Sequence, residues 1–200
     1  MISVETVQDR GPAAVEQSLA DEQDIRLALQ GDGAAYAQLV ARHQQSIAAY
    51  MWRFTRDHNL WEELVHDVFV EAYFSLHTFR AESPWSHWLK RIATRVGYRF
   101  WRQRDRQRSE GVRPLEEWHQ PQASADVPVG ATDAAAEVHG WLARLAPRDR
   151  LVLTLMYLEE HSVETIAKLT GWSRSMVKVQ AHRARERLRK LMSAGVPKEV

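Results

Sequence analysis

The chain has 200 residues, of which 44% are hydrophobic and 26% charged, a composition that fits one globular domain or two small ones. No apolar run approaches the roughly 20 residues of a membrane-spanning helix. The first residues lack the basic and apolar segments of a secretory signal. There are no cysteines, which excludes disulfides, thiolate metal sites and a cysteine nucleophile and fits a reducing compartment.

Charge is distributed in four blocks, although the formal net charge is only +1. Residues 1–79 carry a net charge of −7, and residues 80–113 carry +7. Residues 114–167 carry −6, and residues 168–190 again carry +7. Two separate cationic blocks indicate two separate contacts with a polyanion.

The N-terminal half is predicted to be helical after a disordered tail. Residues 1–20 are polar and aperiodic, with a break at Gly11-Pro12. The apolar residues that follow recur three and four apart, which predicts three helices, at 34–55, 60–79 and 86–106. Asp32 is placed to cap the first of them.

The C-terminal half is separated from the first by residues 109–133, which hold three prolines and two glycines and are predicted to be a linker. Beyond this segment the helical period returns and predicts four helices, at 134–145, 148–158, 163–169 and 174–192. Each half has its own apolar faces. We therefore predict an all-α fold, with an N-terminal helical bundle and a C-terminal four-helix domain joined by a flexible linker.

Residues 162–188 have the pattern of a helix-turn-helix, a motif whose second helix enters the DNA major groove. Ser162 and Ser173 are placed as N-caps, and Gly171 provides the turn. The second helix is predicted to turn its basic residues outward, namely Arg174, Lys178, His182, Arg183 and Arg185. A solvated basic helix is the alternative, but the glycine and the apolar spacing favour DNA binding.

Residues 80–108 combine arginines with aromatic residues. Four arginines are spaced three or four apart and share a helix face, namely Arg91, Arg95, Arg99 and Arg102. Cations follow a phosphate backbone and aromatic rings stack on unpaired bases, so the mixture favours single-stranded or locally opened DNA. The alternative is that aromatic residues such as Trp88 belong to the core and the arginines are simply solvated.

Acidic residues form a face of their own on the predicted helix 60–79, at Glu63, Asp67 and Glu71. This face is either solvated or bound by a basic partner. His58, Glu62 and His66 are also spaced by four and could in principle ligate a metal. Such a face is more often merely polar, so we predict no metal site and no cofactor. The sequence has no phosphate-binding loop and no nucleophile with a base, which predicts that the chain is not an enzyme.

Two segments together resemble the extracytoplasmic-function (ECF) group of sigma-70-type sigma factors. The segment LWEELVHDVFVEAYFSLHTFRAESPWSHWLKRIA resembles the core-binding and promoter-melting region, and Gly31-Asp32 before the first long helix is a further similarity. The segment LARLAPRDRLVLTLMYLEEHSVETIAKLTGWSRSMVKVQAHRARERLRKL resembles the C-terminal helix-turn-helix domain. The resemblance implies a tail, a region 2-like domain, a linker, a region 4-like domain and a C-terminal tail, at 1–21, 22–108, 109–133, 134–193 and 194–200.

The resemblance implies a sigma factor that binds core RNA polymerase and directs promoter-specific initiation. It would recognise the −10 and −35 elements and assist DNA melting. The implied partners are the largest-subunit clamp helices and the flap of polymerase, promoter DNA and an anti-sigma factor, with a cytoplasmic location and no direct membrane insertion. A dimeric helix-turn-helix regulator and an RNA-binding or antitermination protein remain as alternatives.

Site residues follow by position from the same resemblance. Core-polymerase binding falls on Glu63, Leu64, Val65, His66, Asp67 and Phe69. Contacts with the −10 element fall on Phe79, Arg80, Ser83, Trp85, Trp88, Arg91, Ile92, Arg95, Arg99, Trp101 and Arg102. Contacts with the −35 element fall on Arg150, Arg174, Lys178, Val179, His182 and Arg183. The chain departs from the family pattern at His66, Arg95, Val179 and His182, so the resemblance leaves the promoter sequence open, and His66 can make polymerase binding sensitive to pH.

Overall fold

The computed structural model describes residues 12–111 and 133–195, and these ranges are helical and contain no strand. The all-α prediction is confirmed. The N-terminal module consists of α1 (Pro12–Leu29), α2 (Gly33–Met51), α3 (His58–Ser75), a 3-10 turn (Leu76–Thr78) and α4 (Trp85–Ser109). The C-terminal module consists of α5 (Asp133–Ala143), α6 (Pro147–Leu153), a π-helical turn (Thr154–Leu158), α7 (Val163–Thr170) and α8 (Arg174–Gly195). None of the helices in the described part of the chain combines the length and the apolar character that a bilayer crossing demands.

Helix termini lie where side chains satisfy the free backbone groups, as predicted at four positions. The Asp32 carboxylate accepts hydrogen bonds from the backbone N–H groups of residues 34 and 35, at 2.8 and 3.2 Å. Ser162 and Ser173 each accept one from the N–H three residues later, at 3.1 Å. Gly171 ends α7 with a φ of 75°, a left-handed conformation that glycine adopts without steric cost.

The predicted disordered tail over 1–21 needs correction, because α1 already begins at Pro12. Proline is well tolerated at the first helical position, where its missing N–H is not needed. The polar helix is anchored by Asp21, whose carboxylate contacts Arg42 at 2.5 Å and His43 at 2.9 Å. Residues 1–11, and residues 112–132 of the predicted linker, lie outside the described residues.

The N-terminal core gathers around Phe54, which is 1% exposed and follows α2. Its ring packs against Trp101 with a centroid distance of 4.7 Å. The indole N–H of Trp101 donates a 2.7 Å hydrogen bond to the Phe54 carbonyl oxygen. The end of α2 is thereby fixed to the middle of α4, the helix that carries the predicted −10 arginines.

The C-terminal core is formed by apolar residues of all four helices and by one buried carboxylate. Ile166 and Val177 are fully buried where α7 and α8 cross. Asp149 is also fully buried, and it accepts hydrogen bonds from Gln180 and Arg187 at 2.5 Å each. These bonds fix α6 to α8, because a buried carboxylate without such donors would be costly.

The two modules contact each other along α4, which packs on α6 and α7. The Arg53 Nε lies 2.9 Å from the Glu159 carboxylate, which joins the end of α2 to the segment after the π-helical turn. The Arg150 guanidinium lies over the Trp101 ring at 4.0 Å from its centroid. Tyr98 and Trp172 meet edge to face at 6.3 Å. The structure is therefore a closed arrangement of the two modules.

Candidate nucleic-acid interface

The predicted polymerase-binding residues divide between the surface and the core of α3. Glu63, His66 and Asp67 are exposed on one side of the helix. Leu64 and Phe69 face inward and are 5% and 7% exposed. Val65 is partly buried and packs against the core. The side available to a partner is therefore acidic, with an imidazole within it.

The four predicted arginines of α4 are all exposed, and their spacing of three or four residues places them on one side of the helix: Arg91, Arg95, Arg99 and Arg102. Two of them are held by a carboxylate from the neighbouring helix. Glu71 of α3 lies 3.5 Å from Arg95 and 2.9 Å from Arg99. The third residue of the predicted acidic face thus turns toward the basic helix and partly neutralises it.

Residues 79–84 connect the 3-10 turn to α4, and aromatic rings form the base of this loop. Trp85 and Trp88 stack with centroids 4.7 Å apart, and Phe79 meets both edge to face at 5.3 and 5.5 Å. Ala81 has a φ of 55°, a conformation that a residue with a Cβ seldom adopts and that marks local strain. Arg80 and Ser83 are exposed on the loop, which leaves them available to a nucleic acid.

Three of the predicted −10 residues lie inside the module. Trp85 and Trp101 are each 3% exposed and Ile92 is 1% exposed. Trp88, by contrast, is partly exposed beside Trp85. The helical spacing of the arginines predicted their face correctly, but the same spacing does not distinguish a tryptophan at the edge of that face from one beneath it.

Five of the six predicted −35 residues share the exposed face of α8. They are Arg174, Lys178, Val179, His182 and Arg183. Arg174 also pairs with Glu164 of α7 at 3.1 Å. The sixth residue, Arg150, lies elsewhere, with its guanidinium on Trp101 and its Nε buried without a hydrogen-bond partner.

Sequence reasoning missed the residues that join the two modules. Arg53 and Glu159 are 106 positions apart and form an ion pair. His139 of α5 is 8% exposed, and burial together with the charges of Arg56, Arg150 and Arg53 lowers its pKa to about 4. The sequence gives no signal for these contacts, because the periodicity within each half reports only the faces of its own helices.

The predicted absence of a metal site concerned His58, Glu62 and His66. His58 and Glu62 form an ion pair at 3.3 Å on the surface of α3. Among the residues that the structure describes, no three His, Cys, Asp or Glu side chains are grouped so that they could hold a metal ion. The pair is accounted for as an ordinary contact between successive turns of one helix.

Comparison with protein families gives two matches, one for each module. Residues 39–107 match the family described as Sigma-70 region 2, and residues 136–188 match Sigma-70, region 4. The first range holds α3, α4 and the loop between them. The second holds the helix-turn-helix.

Individual relatives match over most of the chain. It is 31% identical to the RNA polymerase sigma factor YlaC of Bacillus subtilis, over 78% of this chain and 90% of that one. It is 27% identical to the ECF RNA polymerase sigma-E factor of Haemophilus influenzae, over 85% of this chain and 94% of the relative.

Solved structures of similar fold include CnrH in complex with the cytosolic domain of CnrY, with 26% identity and a TM-score of 0.57 over 88% of this chain and 99% of CnrH. Another is the sigma factor RpoE of Bartonella quintana in complex with the anti-sigma factor NepR, with 22% identity and a TM-score of 0.54 over 80% and 98% of the two chains. With both sigma-70 regions present in order and a relative above 30% identity spanned almost in full, the chain belongs to the sigma-70 family of RNA polymerase sigma factors, in its ECF group.

Proposed function

We propose that this sigma factor divides its work among three exposed faces: an acidic one for core polymerase, a basic one for the −10 element and a second basic one for the −35 element. The observation that carries the proposal is the separation of these faces. The carboxylates of α3 and the arginines of α4 lie on one module, and the basic face of α8 lies on the other.

Core binding is assigned to Glu63, His66 and Asp67, because they are the exposed members of the predicted set. Leu64 and Phe69 support this face from below and do not touch the partner in our proposal. The acidic face requires a basic partner surface, which the resemblance places on the clamp helices of the largest polymerase subunit. We propose a second contact, with the polymerase flap, for the C-terminal module.

Recognition of the −10 element is assigned to the loop 79–84 and the exposed face of α4. Trp88, with its partly open ring, is the aromatic wall for an unstacked base, and Arg80 and Ser83 are the polar groups beside it. The arginines of α4 follow the phosphates of the displaced strand. Trp85, Ile92 and Trp101 hold these elements in place from the core.

Recognition of the −35 element is assigned to α8, whose basic face has the length and exposure of a recognition helix in the major groove. Arg174, Lys178 and Arg183 supply cations for guanine edges or phosphates, and each bidentate base contact contributes ~1–3 kcal/mol. Arg150 can join them only after it leaves Trp101.

A dimeric helix-turn-helix regulator accounts for the second module alone and leaves the faces of α3 and α4 unexplained.

The chain supplies no catalytic step in this proposal, since binding energy is what opens the DNA, and it works in the cytoplasm where polymerase and template are.

An anti-sigma factor is the further partner that we propose. Val70, Tyr73 and Phe74 extend the acidic face of α3 and are 37%, 47% and 73% exposed, an apolar surface suited to a protein helix.

The test is transcription in vitro with sigma-free core polymerase and a genomic promoter library. We expect initiation at defined start points that share two sequence elements. Asp67→Lys reverses a charge on the acidic face and should abolish association with core, whereas Glu22→Lys on the exposed part of α1 should not. Failure of the unmodified chain to bind core or to direct initiation would refute the proposed function.

A further inference from the structure

A cavity of about 390 Å³ lies between the two modules, where α4 meets α5 and α6. Its lining is strongly cationic, with Arg56, Arg104, Arg108 and Arg150. Asp105 is the one carboxylate in the part of this lining that the structure describes. Four guanidinium groups from both modules therefore face a space of the size that small-molecule sites occupy.

The cations of this cavity oppose one another across the module boundary. Burial, together with the charges of Arg108 and Arg104, lowers the pKa of Arg150 to about 10. Burial and the charge of Arg53 likewise lower the pKa of Arg56. Like charges held close together repel one another, so the closed arrangement has an electrostatic cost at this point.

One buried donor in the cavity lacks a hydrogen-bond partner, and an imidazole lies beside it in the lining. The Nε of Arg150 is buried and makes no hydrogen bond. His139 is 8% exposed and lies in the same lining. A neutral imidazole carries one N–H that can donate to an anion. These groups complete the donor set of an anion site: guanidinium groups from both modules and a buried imidazole.

We propose that this interdomain cavity is a binding site for a diphosphate-bearing anion, held by Arg56, Arg150 and His139, and that the bound anion stabilises the closed arrangement of the two modules. Guanidinium groups bind phosphate oxygens in pairs, with a planar geometry that lysine lacks. A diphosphate supplies the negative charge that the lining needs and fits the available volume. Because the cavity is walled by both modules, an anion in it contacts each of them.

The site goes beyond promoter recognition, because Arg56 and His139 belong to neither of the DNA-binding faces. It also gives Arg150 two alternative environments. In the closed arrangement its guanidinium is on Trp101 beside the anion, and in the open arrangement it is released toward the −35 element. The anion would thus lower the affinity of the free sigma factor for promoter DNA.

Calorimetric titration of the full-length chain with inorganic pyrophosphate tests the site directly. We expect saturable binding of one pyrophosphate per chain and a loss of affinity of at least about tenfold in Arg56→Gln, since hydrogen bonds to charged groups are strong. Arg26→Gln, which removes the same charge from the exposed surface of α1, is the matched control and should change affinity less than twofold. Adenosine diphosphate forms the second arm: tighter binding than pyrophosphate identifies a nucleotide as the source, and equal binding identifies the diphosphate group alone.

Module closure gives a second readout, because the chain has no cysteine and accepts a pair of spin labels at chosen positions. Labels at Gln44→Cys on α2 and Ser193→Cys on α8 report the distance between the modules, and pyrophosphate should narrow its distribution. If Arg56→Gln does not fold, as judged by its helical signal, Arg56→Lys retains the charge and should still weaken binding by losing the paired geometry.

Several results would overturn the site. Absence of saturable pyrophosphate binding would do so. An equal loss of pyrophosphate affinity in Arg26→Gln and Arg56→Gln would also do so, because it would show that net charge, and not the cavity, determines binding. Binding of a single-stranded oligonucleotide that depends on Arg56, without pyrophosphate binding, would assign the cavity to nucleic acid instead. Binding of pyrophosphate with an unchanged distance distribution would refute the coupling to closure. Transcription by the unmodified chain with core polymerase tests the family function independently of all these outcomes.

Discussion

Phe54 and Gly97 illustrate how a single contact sets the position of α4, the helix proposed to contact the −10 element. A Cβ at position 97 would lie 2.2 Å from the Cδ1 of Phe54, well inside van der Waals contact. The Phe54 ring cannot move aside, because it is 1% exposed and packs against Tyr50 and Trp101. Glycine is required here by close packing of α4 on the end of α2, and not by backbone conformation.

We expect Gly97→Ala to lower the free energy of unfolding. Overpacking a core costs about 1–3 kcal/mol, and the better helix propensity of alanine offsets up to about 1 kcal/mol of that. Gly140→Ala on α5 is the matched control, since a Cβ there meets nothing within 4 Å and should stabilise the helix. Urea unfolding of both variants measures the difference, and a Gly97→Ala protein as stable as Gly140→Ala would contradict this packing.

His139 predicts a pH dependence of stability. Its pKa is lowered to about 4 by burial and by Arg56, Arg150 and Arg53, whereas an unfolded histidine titrates near 6.5. The folded state therefore disfavours protonation, so its contribution is complete above pH 6.5 and is lost as the pH falls toward 4. The urea midpoint should drop more between pH 7 and pH 5 in the unmodified chain than in His139→Gln. Equal drops would show that His139 is not held neutral.

The pairing of α3 with α4 places a carboxylate among the arginines of the proposed −10 face. Glu71 contacts Arg95 and Arg99, while Glu63 and Asp67 on the same helix remain exposed. This arrangement separates the proposed polymerase face from the proposed DNA face on adjacent helices. It also weakens the basic surface of the free protein.

Glu71→Gln should strengthen binding of the chain to a single-stranded oligonucleotide of −10 sequence by several-fold. The substitution releases two guanidinium groups for phosphate contacts, so the dependence of affinity on salt should also become steeper. Fluorescence anisotropy at several salt concentrations measures both effects. Glu22→Gln makes the same change in charge on α1 and should alter neither; if it has an equal effect, the gain is due to net charge and not to release of Arg95 and Arg99.

Helices and caps could be predicted from the sequence wherever the signal is local. Asp32, Ser162, Gly171 and Ser173 hold the predicted positions because capping depends on residues within one turn. The sequence does not predict α1, because its packing depends on tertiary contacts: Asp21 pairs with α2, and of the apolar side chains that the structure describes in this helix only Ile25 and Ala28 are buried in the core. The burial of Trp101 was missed for a similar reason, since the carbonyl that accepts its hydrogen bond lies 47 positions earlier.

The contact between the modules limits what the closed protein can reach. The −10 and −35 elements are about 25 base pairs apart, which is about 85 Å of duplex at ~3.4 Å per base pair. A compact chain of this length has a radius of gyration of roughly 17 Å and hence a diameter of about 43 Å. The closed arrangement cannot place α4 and α8 on both elements. The 21 residues of 112–132 can extend to about 70 Å, which is enough to join the modules after they separate.

Glu159→Gln should open the free protein. The Glu159 side chain is 13% exposed in its ion pair with Arg53, so loss of its charge leaves Arg53 without compensation at the module boundary. We expect a longer and broader distance distribution between spin labels on α2 and α8, with an unchanged helical signal because both cores remain intact. Glu160→Gln alters the exposed neighbour and should leave the distances as they are. Opening also frees Arg150, so Glu159→Gln should bind −35 duplex more tightly than the unmodified chain. If both the affinity and the distance are unchanged, other contacts, such as Arg150 on Trp101, hold the modules together.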